Sequence, residues 1–161
     1  MAASAVLTAL AALLFLSLSE PLSETQYLLL INERTGKTLH SIEAPNGAEF
    51  SVTYIHSVNK SPVTEYFQVI DGQIYLTALR YQSFGAGMPS EQTDGQVSHH
   101  QGGSMLVTGY NRLIPRLCCF ISRVEGHTFD MGGASLPLNT LDEPGEPVLF
   151  TITRTRYKSP Q

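Results

Sequence analysis

Three ionisable side chains, His56, Glu65 and Arg80, stand in mid-chain on the face of an alternating strand pattern that otherwise carries apolar residues. An imidazole, a carboxylate and a guanidinium brought together there admit three chemistries. A Glu65–Arg80 pair with His56 as donor could close one end of a core, because a buried carboxylate has to be paired and hydrogen-bonded. The same groups could line a ligand or metal pocket. Arg80 would then offer its fork to an acidic ligand, while His56, His127 and Glu65 would offer nitrogen and oxygen to an ion. Finally, His56 and Glu65 could act as acid and base. Perturbed groups gather at sites, yet structural networks perturb them too, so residue types alone leave the three open.

The stretch that must position them runs from 50 to 89. Phe50, Val52, Tyr54 and His56 alternate onto one face of a strand. A turn-rich break, residues 57–62, follows, and then Val63, Glu65, Phe67 and Val69 share a face. Asp71-Gly72 between Ile70 and Gln73 predicts a two-residue type I′ hairpin. That hairpin sets Val69 opposite Ile74, Phe67 opposite Leu76, Glu65 opposite Ala78 and Val63 opposite Arg80. Arg80 is therefore expected diagonal to Glu65. A slip of one residue would turn a strand's whole set to the opposite face.

Around this stretch the chain reads as strands and turns. Residues 27–32 and 38–42 predict two strands before it, giving a five-strand antiparallel meander in all. Residues 84–103 predict a long loop in which Gly85 and Gly87 could expose backbone N–H groups as an anion nest. His99-His100 lies in that loop, and adjacent extended residues point opposite ways. Further strands are expected over 104–110, 117–124, 126–131 and 148–157, with a break at Gly132-Gly133 and loop over 136–147. The whole predicts an all-β fold, an antiparallel sandwich or small barrel of about nine or ten short strands. Cys118-Cys119 on a strand points two thiols to opposite faces, so two reduced thiols are expected, one of them in the core.

Composition narrows the function. The chain has 161 residues, room for one domain, with a charged fraction of 15% and net charge −4. No basic stripe marks a nucleic-acid partner. Residues 1–19 carry no charged side chain, and residues 2–18 are an almost unbroken apolar run. That run predicts a signal peptide or a membrane anchor ahead of a single β domain over 20–161, with a periplasmic or otherwise extracytoplasmic location. No G-x-S-x-G, C-x-x-C or spaced Cys/His pattern is present, so the motifs imply no hydrolase triad, zinc site or cofactor.

The residues Tyr54-Ile55-His56-Ser57-Val58, Pro62-Val63, Glu65 and Ser83-Phe84-Gly85-Ala86-Gly87-Met88-Pro89 resemble the bacterial family called domain of unknown function 1850. Arg123-Val124 and His127 are similar to that family's second patch. The resemblance implies a small exported or membrane-tethered β protein with no established activity. Its members are often encoded beside tripartite ATP-independent periplasmic (TRAP) transporters of the TAXI type. The reading that follows is a non-enzymatic accessory module of such a transporter, with the permease or its substrate-binding protein as partner. The alternative is a small ligand- or metal-binding domain with a His56/Glu65/Arg80 pocket, which His127 could join.

Overall fold

The computed structural model describes residues 23–58, 60–82, 97–101, 103–124 and 126–157. Strands dominate. They are β1 (Ser23–Asn32), β2 (Thr38–Glu43), β3 (Glu49–Ile55), β4 (Pro62–Ile70), β5 (Gln73–Tyr81), β6 (Val97–Gln101), β7 (Ser104–Leu113), β8 (Leu117–Phe120), β9 (Thr128–Met131), β10 (Ala134–Pro137) and β11 (Pro147–Tyr157). Among the described residues the only helical piece is a single 3-10 turn, Leu138–Thr140. None of them forms a helix long and apolar enough to cross a membrane. The apolar run over residues 1–19 lies outside the described residues. Residues 26–153 form one compact unit; residues 23–25 and 154–157 belong to a second.

The strands make two sheets, β2-β1-β11-β8 and β10-β9-β3-β4-β5-β7-β6. Within residues 26–153 both sheets contribute to one core. Leu28 and Leu30 of β1, Leu117 of β8 and Val148 and Phe150 of β11 come from one sheet. Phe50 and Val52 of β3, Phe67 and Val69 of β4, and Phe129 of β9 come from the other. The fold is therefore a sandwich, held by inward residues at alternate positions. Phe50 stands at its centre, stacked on Phe67 at 5.1 Å between centroids and facing Phe150 across the core at 6.1 Å.

The expected five-strand meander does not form. β1 pairs with β2, but the chain then crosses to the other sheet over residues 44–48, so of these five strands β3, β4 and β5 alone run on as a meander. The crossing is tied down by Gly47 N–H to the Val69 carbonyl (2.7 Å) and by Asp71 N–H to Asn46 Oδ1 (2.7 Å). Two strands arise where loop was expected. β6 lies inside the 84–103 segment and pairs with β7, and β10 pairs with β9 across Gly132-Gly133. Both are short edge strands that the hydrophobic pattern leaves unmarked.

The Asp71-Gly72 hairpin forms as expected, with φ of 51° and 76° at its two central residues. Val69 pairs with Ile74 and Phe67 with Leu76. Beyond that point the expected register fails. Tyr66 pairs with Ala78, Glu65 with Leu79, Thr64 with Arg80 and Val63 with Tyr81. Thr77 is the extra residue of a β-bulge, and its hydroxyl donates to the Tyr66 carbonyl at 3.2 Å. The pairing of β5 with β7 shifts at the same level, between Leu76 and Ala78, with Gly109 at φ 85° in the matching gap of β7. One extra residue exchanges the faces of everything after it. Leu79 and Tyr81 turn inward, where Val63, Met105 and Val107 join them in a second small core cluster, and Arg80 turns outward.

Truncating Phe50 to Ala removes the ring that links the sheets and is expected to cost about 3–5 kcal/mol in urea unfolding. Glu49→Ala, one residue away on the outer face, is expected to stay within about 0.5 kcal/mol.

Candidate functional site

Register brings the chemically distinctive stretches to one end of the sandwich. β3 ends at Ile55 and β4 begins at Pro62 opposite it. Tyr81, the last residue of β5, pairs with Val63 on one side and with Met105 on the other. β9 enters at Thr128 opposite Thr53. The 56–61 turn, the exit of β5 at Gln82 and the 121–127 connection therefore share this end. The turn is built by its own backbone, with His56 N–H to the Ser61 carbonyl and Lys60 N–H to the His56 carbonyl, both 2.9 Å. Val58 N–H donates to His56 Nδ1 at 3.3 Å, so the imidazole helps shape the turn it sits in.

Below this end, between the sheets, lies a group of ionisable side chains. Glu65 is on the inner face of β4, since its neighbour Val52 and the flanking Val63 and Phe67 are all buried. Burial pushes its carboxyl above the ordinary range, and the Arg112 guanidinium on β7 pulls it partly back. Tyr54 on β3 is pushed up to about 12 by burial and by the negative charge of Glu65. Cys119 on β8, which pairs with the fully buried Val148, enters from the opposite sheet and is also pushed up to about 12, for the same two reasons. His127 packs its ring on Tyr54 at 5.5 Å, its Nδ1 is buried without a hydrogen bond, and burial lowers its pKa. Low dielectric thus favours the uncharged form of each of these four groups.

The residues singled out by sequence are divided among three places. Glu65 faces inward as expected, and the cation whose charge bears on it is the exposed Arg112 of β7. The expected diagonal Glu65–Arg80 pairing is not formed, because the Thr77 bulge puts Arg80 opposite Thr64 on the outer face. There its guanidinium carbon stands 5.8 Å from the centre of the Tyr66 ring. His56 sits in the end turn, four residues beyond Val52, the residue opposite Glu65, a separation of about 13 Å along an extended strand. His127 joins the inner group through Tyr54. Gly85 and Gly87 lie outside the described residues. Among the described residues no three His, Cys, Asp or Glu side chains converge as a metal site would require.

Sequence reasoning overlooked Tyr54 and Cys119 as members of the inner group, and Arg112 as the exposed cation whose charge bears on Glu65. Tyr54 was legible on the face of Phe50 and Val52. Cys119 and Arg112 belong to distant strands, and only the sheet order brings them near. Both cysteines are free, with Cys119 against the core and Cys118 within 3.8 Å of Glu33 on the other side of its sheet.

Residues 50–138, more than half of the chain, match the family described as a domain of unknown function (DUF1850). No curated protein and no solved structure matches the chain.

The inner group gives opposite pH signatures. Glu65 binds its proton more tightly folded than unfolded, so its contribution is present below pH 4.5 and is lost as pH rises through its raised pKa. His127 binds its proton less tightly when folded, so its contribution is present above pH 6.5 and is lost as pH falls through its lowered pKa. In urea unfolding across pH, Glu65→Gln is expected to remove the first loss and His127→Gln the second. An unchanged pH profile in both variants would place both groups in solvent.

Proposed function

Since the chain belongs to the DUF1850 family, whose description carries no activity, we propose its function from the end of the sandwich: it is an exported, non-enzymatic accessory module of a TAXI-type TRAP transporter. It docks there on the permease or the substrate-binding protein, on the periplasmic side. The observation that carries this reading is the set of apolar side chains left in water at that end. Val58 in the 56–61 turn is 68% exposed, and Val124 in the 121–127 connection is 89% exposed. Ile55, at the base of the same turn, is exposed as well. Single exposed apolar residues are ordinary, but several on neighbouring loops are a surface that a partner would cover. Basic side chains flank it at Lys60 and Arg123. The apolar run over residues 2–18 supports export or tethering.

Tyr54 and Cys119 in the inner group fit a structural role beneath that end. A thiol and a phenol both pushed to about 12 are protonated at neutral pH, and neither is then a ready nucleophile or base. They are better understood as the wall that fixes the loops above them.

Tagged full-length protein, drawn from gently solubilised native membranes, is expected to bring a TRAP permease or its binding protein with it in mass spectrometry. The double variant Val58→Asp/Val124→Asp is expected to lose that partner while keeping its melting midpoint. Reproducible recovery of the wild-type protein alone would overturn the reading.

A further inference from the structure

The strands of the smaller sheet lack the polar alternation that a solvated outer face gives. β1 runs Tyr27-Leu28-Leu29-Leu30-Ile31, and β11 begins Pro147-Val148-Leu149-Phe150. Leu28, Leu30, Val148 and Phe150 are buried in the core between the sheets. Successive side chains alternate, so Tyr27, Leu29, Ile31 and Leu149 point away from that core. Cys118 and Phe120 of β8 join them, since Leu117 and Cys119 are the residues that pack inward. A run that is apolar at every position is the pattern of a strand covered on both faces.

Register gathers these side chains into one patch. Leu149 pairs with Cys118 and Pro147 with Phe120. The Glu33 N–H donates to the Pro147 carbonyl at 3.0 Å, which ties the end of β1 to the start of β11. These neighbouring strands therefore run antiparallel, with Ile31 beside Leu149. Phe120 is 58% exposed. Among the described residues no element lies over the patch, since every strand belongs to one of the two sheets and the 3-10 turn buries Leu138 in the core. The outer face of the larger sheet differs in kind, with Ser51, Thr53, Thr64, Arg80 and Asp130 upon it.

We propose that a second copy of the chain covers this patch, the two small sheets stacking face to face about a twofold axis. Stacked sheets pack about 10 Å apart with interleaved side chains, and an isologous contact sets the same apolar patch on both sides. Charge favours a copy over other occupants. The ion pair at the rim, Arg116 with Glu33 (Nε to Oε1, 2.9 Å), is satisfied within one chain, so it does not repel its own copy. Anionic headgroups draw basic side chains, whereas the borders of this patch carry Glu33 and, opposite Tyr27, Glu43. Four strands at about 4.8 Å, over a segment from Tyr27 to Asn32 at about 3.4 Å per residue, give a footprint of roughly 20 by 20 Å. That is at the small end for a specific interface, so the dimer is expected to dissociate in the micromolar range.

Sedimentation velocity of the full chain is expected to show one copy at low micromolar concentration and two at high. Leu149→Glu sets a charge at the centre of the patch and is expected to raise the dissociation constant at least about tenfold. If Leu149→Glu misfolds, Phe120→Glu at the more exposed position carries the test, with the same expected loss. Ser51→Lys, on the outer face of the other sheet, is expected to leave the dimer intact. Peptide mass mapping is expected to show maleimide labelling of Cys118 slowing as the dimer fills. A single copy at every concentration, a dimer that both glutamate variants leave intact, a dimer lost in Ser51→Lys, or Cys118 labelling that ignores concentration would each overturn the proposal. So would a monomer that floats with phosphatidylglycerol vesicles and stops floating in Leu149→Glu, which would assign the patch to lipid. None of these outcomes depends on the transporter partner.

Discussion

Thr77 has no residue opposite it on β4, and the placement of Glu65 and Arg80 follows from that single insertion. A strand's side-chain period is two, so one extra residue transfers every later side chain to the other face. Without the bulge, Arg80 would point between the sheets beside Glu65 and the two would neutralise each other. With it, the carboxylate stays inside and the guanidinium goes out. The inner face gains Leu79 and Tyr81 in exchange, and these supply the second core cluster with Val63, Met105 and Val107. The local disruption of the ladder is offset by that apolar burial and by the Thr77 hydroxyl bonded to the Tyr66 carbonyl.

The consequence is a domain with two chemically different surfaces. One end carries the 56–61 turn and the 121–127 connection, with apolar side chains exposed above an inner group that burial keeps uncharged. The outer face of the larger sheet carries separated charges, Arg80 on one side and Glu49 with Asp130 on the other. Both rest on the same rigid core, in which Phe50 touches rings from both sheets.

Much of this was legible in the chain, and the limits are physical. The alternation through Phe50, Val52 and Tyr54 and through Val63, Glu65, Phe67 and Val69 identified the inward face, because a half-buried strand must alternate. The Asp71-Gly72 turn fixed the pairing near it. The bulge was not legible. Thr77 is an ordinary strand residue, and the sequence Leu76-Thr77-Ala78-Leu79-Arg80 gives no sign that Leu79 rather than Arg80 turns inward until the partner strands are known. The sheet change after β2 was hidden for a similar reason, since short turns join hairpins and sheet crossings alike. Of the inner group, Glu65 and His127 were named from sequence, whereas Cys119, and the exposed Arg112 outside the group, needed the strand order.

The central claim is that Glu65 answers to Arg112 and not to Arg80, and an NMR titration of the Glu65 carboxyl tests it most directly. In wild-type protein its midpoint should lie above the ordinary value of 4.5. In Arg112→Gln it should move higher, because an attracting charge has been removed. In Arg80→Gln it should stay where it is. A midpoint that rises in Arg80→Gln and ignores Arg112→Gln would contradict the bulged register and return the two residues to one face.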